Sequence, residues 1–181
     1  MAALVSAIAV RRRTGSLASI GLKSPVRWWH LLLAVAITTV ATAITANLAE
    51  PFFASHLGYS ARATERLTEL KGNFLATVLT IVGLGWITAA LGEEIVFRGT
   101  FLLRLRVALG NSKTAVVAAF VVQALLFGSV HLYQGWAGAA MATVIALLFG
   151  GAVVATNGNL WPAILVHAIP DTITIIRAFK S

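Results

Sequence analysis

The stretch FLATVLTIVGLGWITAALGEEIVFRG, residues 74–99, decides the class of this protein. It begins with a run from Phe74 to Gly92 that contains no Asp, Glu, Lys or Arg. That run is as long as a helix that crosses a bilayer, which needs about 20 apolar residues. Two adjacent carboxylates, Glu93 and Glu94, follow it, and Arg98 comes four residues after Glu94. Charges of both signs in or beside a membrane segment indicate a function inside the membrane.

The composition of the whole chain is that of a membrane protein with room for one domain. Of the 181 residues, 59% are hydrophobic and 11% are charged, whereas a typical soluble domain has about 25% charged residues. Further apolar runs occupy residues 28–49, about 114–133, about 136–156, and the chain from residue 161 onwards. We therefore predict an all-α fold, a polytopic membrane bundle of five or six helices with an intramembrane polar site.

The positive charge is placed as in membrane proteins. The net charge is +8, and five basic residues precede the first apolar run: Arg11, Arg12, Arg13, Lys23 and Arg27. This is the positive-inside pattern, not the basic stripe of a nucleic-acid-binding protein. We predict an integral membrane protein with both termini in the cytoplasm and no nucleic-acid partner. The chain has no cysteine, which excludes disulfides and cysteine-bound metal.

The chain divides into three predicted parts. Residues 1–27 form a basic cytoplasmic tail, weakly held or lying on the membrane surface. Residues 28–73 contain the first span, to about residue 49, and a polar connection from residue 50. In that connection Ser60 is predicted to cap a short amphipathic helix, whose charged residues are Arg62, Glu65, Arg66 and Glu69. Residues 74–178 form the functional core.

Half of the acidic residues and half of the histidines fall in apolar surroundings: Glu93, Glu94, Asp171, His131 and His167. A charge at the centre of a membrane helix costs about 2.5–3.5 kcal/mol, so such residues usually face a bundle interior and have a function. Glu94 and Arg98 are four residues apart on a helix and can neutralise each other. Glu93 points about 100° away from Glu94, which leaves it free to act as a general base.

The two histidines also have partners at helical spacing. His131 follows Phe127 by four residues, so the phenyl ring can pack against the imidazole. His167 and Asp171 are four apart with Pro170 between them, and a proline frees a backbone carbonyl one turn earlier. Such backbone is tolerated where it lines a water-filled cavity. A base and two histidines in a wet pocket meet the requirements of a hydrolase.

Two interpretations without hydrolysis remain open from the residues alone. The charges of residues 93–98 could be an interfacial cluster at a helix end, and the histidines could make structural hydrogen bonds. The second interpretation is a small transporter or a metal-binding bundle. A transporter needs pathways to both faces, and the chain lacks the paired broken repeats common in transporters.

The three motifs together resemble the CPBP family, the CAAX-protease and bacteriocin-processing intramembrane endopeptidases, which resemble Ras-converting endopeptidases. The family pattern is EExxxR, then FxxxH, then HxxxN or HxxxD. Here it reads EEIVFR at 93–98, FGSVH at 127–131 and HAIPD at 167–171, with family-like flanks FRGTFL and GNLWPAILVHA. The resemblance covers about residues 74–178, and residues 1–73 carry no family mark.

The resemblance implies peptide-bond hydrolysis in the membrane. Glu93 would activate water with help from His131, while Glu94 and Arg98 would hold their helix. His167 and Asp171 would hold the substrate carbonyl or its developing oxyanion. The implied partners are a peptide or protein substrate at the membrane and the lipid bilayer, the implied location is a bacterial cytoplasmic membrane, and no cofactor is required. The alternative is a non-catalytic scaffold or bacteriocin self-immunity protein.

Asp171 departs from the asparagine found in many members. Asn can donate a hydrogen bond to an oxyanion, whereas an ionised Asp only accepts. Asp171 could be neutral through burial, could orient His167 by accepting from its Nδ1–H, or could ligate a metal. A zinc site of His131, His167 and Asp171 is chemically feasible. We favour the orienting role.

To share a site, Glu93 must lie at the same depth in the membrane as His131, and His131 lies near the end of its span. If the helix of residues 74–92 ends at the membrane edge, residues 93–109 must turn back into the membrane as a tilted helix.

Overall fold

The computed structural model describes residues 16–24, 27–58 and 67–180, together with Ile8, Arg11 and Arg12. The predicted cap at Ser60 and most of its amphipathic helix lie outside these residues. Within them the structure is helical and contains no strand. The all-α prediction is therefore confirmed for the part of the chain that is described.

Five long helices make up the bundle: α1 Trp28–Leu57, α2 Phe74–Ala108, α3 Lys113–Val130, α4 Gly135–Ala155 and α5 Trp161–Lys180. Short 3₁₀ turns occupy Leu17–Ile20, Thr68–Leu70 and Leu132–Gln134. Each of the five helices, the fourth taken with the turn before it, is long and apolar enough to cross a membrane. This confirms the predicted polytopic bundle, and the described residues contain five such helices, the lower predicted number.

Helix α1 is longer than the sequence indicated. The polar connection was predicted to begin at Glu50, but the helix continues through Pro51 and ends at Leu57. Membrane helices tolerate an internal proline, because neighbouring groups satisfy the freed carbonyl. Glu50 therefore belongs to a helix of the bundle, which becomes important for the site.

Helix α2 is continuous over 35 residues, so the prediction that residues 93–109 turn back is wrong. The Asn73 side chain caps its start by accepting from the N–H of Ala76 at 3.0 Å. Two stretches, Thr80–Glu93 and Ile95–Leu102, are π-helical. Because the helix is uninterrupted, Glu93 and Glu94 lie in the middle of α2. They therefore lie deep in the bundle without the turn that was predicted to carry them there.

The remaining helices follow the predicted pattern with small shifts. Residues 109–112 connect α2 to α3, and α5 begins at the predicted Trp161. His131 was predicted inside a span, but it follows the last residue of α3. Pro170 lies inside α5, which continues to Lys180.

Residues 16–24 pack into the bundle. Ile20 is fully buried in the main apolar core. The N–H of Leu160 donates to the carbonyl of Gly21 at 3.0 Å, and Lys23 Nζ donates to the carbonyl of Asn157 at 2.7 Å. The expectation of a weakly held tail is therefore wrong for this segment, while the domain limits at residues 27 and 73 stay predictions.

The hydrogen bonds also give the direction of the helices. The bond from Leu160 to Gly21 places the start of α5 beside the start of α1; we name this the Lys23 end of the bundle. The N–H of Gly72 donates to the carbonyl of Phe179, so the end of α5 lies beside the start of α2, at the Phe179 end. Five crossings would put these two ends on opposite faces of a bilayer, whereas two cytoplasmic termini need an even number of crossings. The placement of both termini in the cytoplasm stays a prediction, because most of residues 1–15 lie outside the described part of the chain.

We expect the Lys23 end to face the cytoplasm, since it carries more of the described Lys and Arg residues. They are Lys23, Arg27, Arg104, Arg106 and Lys113, against Lys71, Arg177 and Lys180 at the Phe179 end. The chain has no cysteine, so Ser24→Cys and Lys180→Cys each introduce a single thiol. An impermeant maleimide added to intact cells should label the second variant alone. Equal labelling of both would contradict five crossings.

Gly21→Ala should loosen the docked segment, because the new methyl group has no room. A Cβ at Gly21 would lie 2.6 Å from the carbonyl oxygen of Gly158. Gly110 is the matched control, because its φ of 89° is similar to the 87° of Gly21 and nothing lies within 4 Å of its Cβ position. Left-handed backbone costs about 1–2 kcal/mol in either variant. Thermal unfolding in detergent should show the larger loss for Gly21→Ala, and equal losses would contradict the packing.

Candidate active site

His167 on α5 is the centre of the polar cluster. Its Nδ1 lies 2.9 Å from Oε1 of Glu94 on α2. Its Nε2 lies 3.9 Å from Oε2 of Glu93 and 3.7 Å from Oδ2 of Asp171. The structure therefore brings the first and third sequence motifs together around a single imidazole ring.

A buried ion pair fixes one side of that ring. Arg98 Nη1 donates to Glu94 Oε1 at 3.1 Å, and both side chains are completely buried. The guanidinium carbon lies 4.4 Å from the ring centroid of Phe127 and 5.4 Å from that of Phe149. Aromatic faces attract a cation, most strongly away from water. The predicted pairing of Glu94 with Arg98 is confirmed. The packing of the two aromatic rings against Arg98 was not predicted from helical spacing.

The same carboxylate orients His167. A carboxylate oxygen accepts hydrogen bonds, so His167 donates through Nδ1–H and its Nε2 points away from Glu94. We predicted that Asp171 accepts from this Nδ1–H, and that assignment is wrong because Glu94 occupies the position. Asp171 faces Nε2 instead, at a distance longer than a hydrogen bond.

Glu93 has a buried oxygen without a hydrogen-bond partner among the described residues, as Glu94 has in its own Oε2. Oε2 of Glu93 is buried and accepts no hydrogen bond from the described residues, and the Glu93 side chain is 31% exposed. Arg98 bonds to Glu94 and not to Glu93, as the spacing predicted. A buried acceptor without a donor is costly, so this oxygen is suited to take a hydrogen bond from a water molecule.

His131 has a fixed tautomer. Its Nδ1 lies 2.8 Å from the carbonyl oxygen of Phe127, which can only accept, so the ring donates through Nδ1–H. In the neutral imidazole Nε2 then carries the lone pair. The Phe127 ring packs against the imidazole with centroids 4.5 Å apart, as the spacing predicted.

A cavity of about 420 Å³ lies beside the two histidines. Its polar lining includes His131, His167, Asp171 and Glu50 of α1. Sequence reasoning missed Glu50, and the only available signal was its position directly after an apolar run. Glu93 is not among the lining residues, but its Oε2 lies 3.9 Å from Nε2 of His167, which is one of them.

The side chains considered for zinc are not arranged as a ligand set. In the described part of the chain, no three His, Asp or Glu side chains converge as metal ligands do. The Nδ1 atoms of His131 and His167 are engaged by the Phe127 carbonyl and by Glu94, which leaves the two Nε2 atoms as the ring nitrogens that a metal could use.

Comparison with known families agrees with the motif analysis. The family model described as Type II CAAX prenyl endopeptidase Rce1-like matches residues 72–173, more than half of the 181 residues. The chain belongs to this family. No curated protein and no solved structure matches it. All six candidate residues of this Rce1-like chain fall inside the match, and so do α3 and α4 between them.

Arg98→Met should destabilise this Rce1-like protein strongly, because Glu94 would keep a buried charge without its main partner. Breaking a buried pair on one side typically costs about 3–5 kcal/mol. The double variant Glu94→Gln/Arg98→Met should recover part of that loss in thermal unfolding in detergent. Arg104→Met, on the same helix and without a carboxylate partner among the described residues, is the control. A double variant less stable than Arg98→Met would contradict the pairing.

Proposed function

We propose that this chain is an intramembrane endopeptidase in which Glu93 activates a water molecule to hydrolyse a peptide bond. The supporting observation is the arrangement around His167. Its Nδ1 is held by the buried Glu94–Arg98 pair, and its Nε2 is turned toward Glu93 and Asp171. This geometry provides a base with an unused oxygen next to an oriented donor.

The proposed reaction begins with a water molecule that donates a hydrogen bond to Glu93 Oε2. As the water oxygen attacks the carbonyl carbon of the scissile bond, its proton passes to the Glu93 carboxylate. The tetrahedral intermediate then collapses, the C–N bond breaks, and the proton on Glu93 passes to the departing amine. Acid–base catalysis by a positioned carboxylate contributes about 10²–10⁴-fold.

His167 is the proposed donor to the carbonyl oxygen. When protonated, its Nε2–H faces the region between Glu93 and Asp171, and three carboxylates offset its charge. The negative charge of Asp171 then stabilises the protonated imidazole, and Asp171 does not donate a hydrogen bond to the oxyanion. His131 presents the lone pair of Nε2 to the cavity and is suited to accept a hydrogen bond from a substrate N–H or from the attacking water.

The proposed substrate is a peptide or protein segment that enters from the bilayer. The cavity combines apolar surface from Phe127, Met141 and Phe149 with the carboxylates of Glu50 and Asp171. Its volume of about 420 Å³ lies in the range of ligand pockets, about 300–1,000 Å³. The family name refers to CAAX prenyl proteins, whose apolar modification fits such a lining. We propose a bacterial cytoplasmic membrane as the location, as the motif resemblance implies.

A second candidate function is a non-catalytic scaffold or self-immunity protein that binds a membrane peptide without cutting it. One observation favours it: Glu93 does not line the cavity. In that case the peptide would be held beside His131 and His167, and the exchange of Glu93 would leave binding unchanged.

Glu93→Gln should abolish peptide cleavage while leaving the fold intact, because the amide cannot accept the proton of the attacking water. We expect a loss of about 10²–10⁴-fold, measured with a fluorogenic peptide library in detergent with and without chelator. Glu69→Gln, at an exposed glutamate outside the site, is the matched control.

Each outcome of this experiment points to one interpretation. Cleavage that survives chelator and is lost in Glu93→Gln supports the proposal. Cleavage lost with chelator and restored by zinc would make His131, His167 or Asp171 metal ligands. Full cleavage by Glu93→Gln would overturn the role of Glu93, and peptide binding without cleavage in both proteins would favour the scaffold.

A further inference from the structure

A second cavity, of about 410 Å³, lies at the Lys23 end of the bundle. It is formed by the start of α1 and the connection from α4 to α5. It has no lining residue in common with the cavity beside His167. The proposed peptidase chemistry therefore does not explain it.

The lining of this second cavity has a cationic part and an apolar part. The cationic part consists of Lys23 and Arg27, with the imidazole of His30 beside them, and the apolar part of four residues of α1: Leu31, Leu33, Ala34 and Ile37. No Asp or Glu belongs to the lining. A ligand that fits both parts must carry a negative charge at one end and an apolar chain at the other.

The cationic groups have donors to offer such a ligand. Arg27 and His30 are exposed, and neither has a carboxylate partner among the described residues. Lys23 Nζ donates one hydrogen bond to the Asn157 carbonyl, and an ammonium group has three donors. Lys23 is thereby positioned at the cavity with donors left over.

The depth of the cavity matches that of a lipid headgroup. Trp28 and Trp29, next to Arg27, are 68% and 56% exposed, and exposed tryptophans mark the membrane interface. From His30 to Ile37 the helix descends roughly 10 Å at 1.5 Å per residue. Leu33 and Ile37 on this wall are 50% and 59% exposed, so they face the hydrocarbon.

We propose that this cavity binds an anionic phospholipid. Its phosphate lies against Lys23, Arg27 and His30, and one acyl chain follows Leu33, Ala34 and Ile37. Basic pockets at membrane-protein surfaces attract anionic headgroups. A free phosphate ion would use only the cationic part and would leave the apolar wall without a partner.

A lipid in this position would link two parts of the fold. Lys23 belongs to the docked segment of residues 16–24, while Thr156, Asn157 and Asn159 lead into α5, which carries His167. The lipid should therefore increase the thermal stability of the bundle.

The test measures lipid binding by the full chain in detergent micelles, with phosphatidylglycerol, phosphatidylcholine and inorganic phosphate as three separate probes. We expect binding and a higher melting temperature with phosphatidylglycerol only. The variant Arg27→Gln/His30→Gln should weaken that binding by about fivefold or more, the factor expected for one charge near an anionic surface. Arg27 makes no side-chain capping bond, so its exchange removes no helix cap.

Two controls make the test specific. Arg104→Gln/Lys113→Gln removes two basic side chains at the same end of the bundle that do not line the cavity, and it should bind as the natural sequence does. Ala34→Trp should block the apolar part, whereas Ala36→Trp, exposed on the same helix and outside the lining, should not.

Three results would overturn the proposal. Unchanged phosphatidylglycerol binding by Arg27→Gln/His30→Gln would exclude the site. Equal losses in both charge variants would indicate general attraction to a basic surface. Full displacement of the lipid by inorganic phosphate would indicate a small-anion site.

Discussion

Glu94 Oε1 accepts hydrogen bonds from both the Arg98 guanidinium and the His167 imidazole, at 3.1 and 2.9 Å. A carboxylate away from water is costly unless its partners are in place, so α2 and α5 must meet in this register. In that register the hydrogen bond between Nδ1 and Glu94 sets the orientation of the His167 ring. Its second nitrogen is directed toward Glu93 and Asp171, and the remaining chemistry of the site follows from that direction.

The length of α2 is the second constraint. Because the helix continues from Phe74 to Ala108 without a break, the two glutamates lie deep in the bundle and not at a membrane edge. Glu94 is the single residue between the two π-helical stretches. π-helical turns occur frequently at functional sites, and here they flank the residue that orients the histidine.

The two ends of the bundle have different characters. The Phe179 end contains the cavity with the histidines and Glu50, whereas the Lys23 end carries the basic residues and the docked segment. Helix α5 connects the two ends, since it starts beside Gly21 and carries His167 in its first half. A ligand in the cavity at the Lys23 end would contact Thr156, Asn157 and Asn159, which lead into this helix.

The sequence by itself determined the class of fold, the start of α5 and the pairing of Glu94 with Arg98, because apolar runs and helical spacing are local properties. It also determined the family, since the three motifs stand in order along the chain. Local reasoning could not find the partner of His167, because Asp171 is near in sequence and Glu94 is 73 residues away. Only the tertiary structure decided that α2 is unbroken, that Glu50 joins the cavity and that Ile20 is buried. Each of these features depends on the folded chain as a whole, in which residues far apart in the sequence come into contact. Local patterns in a single sequence do not show those contacts.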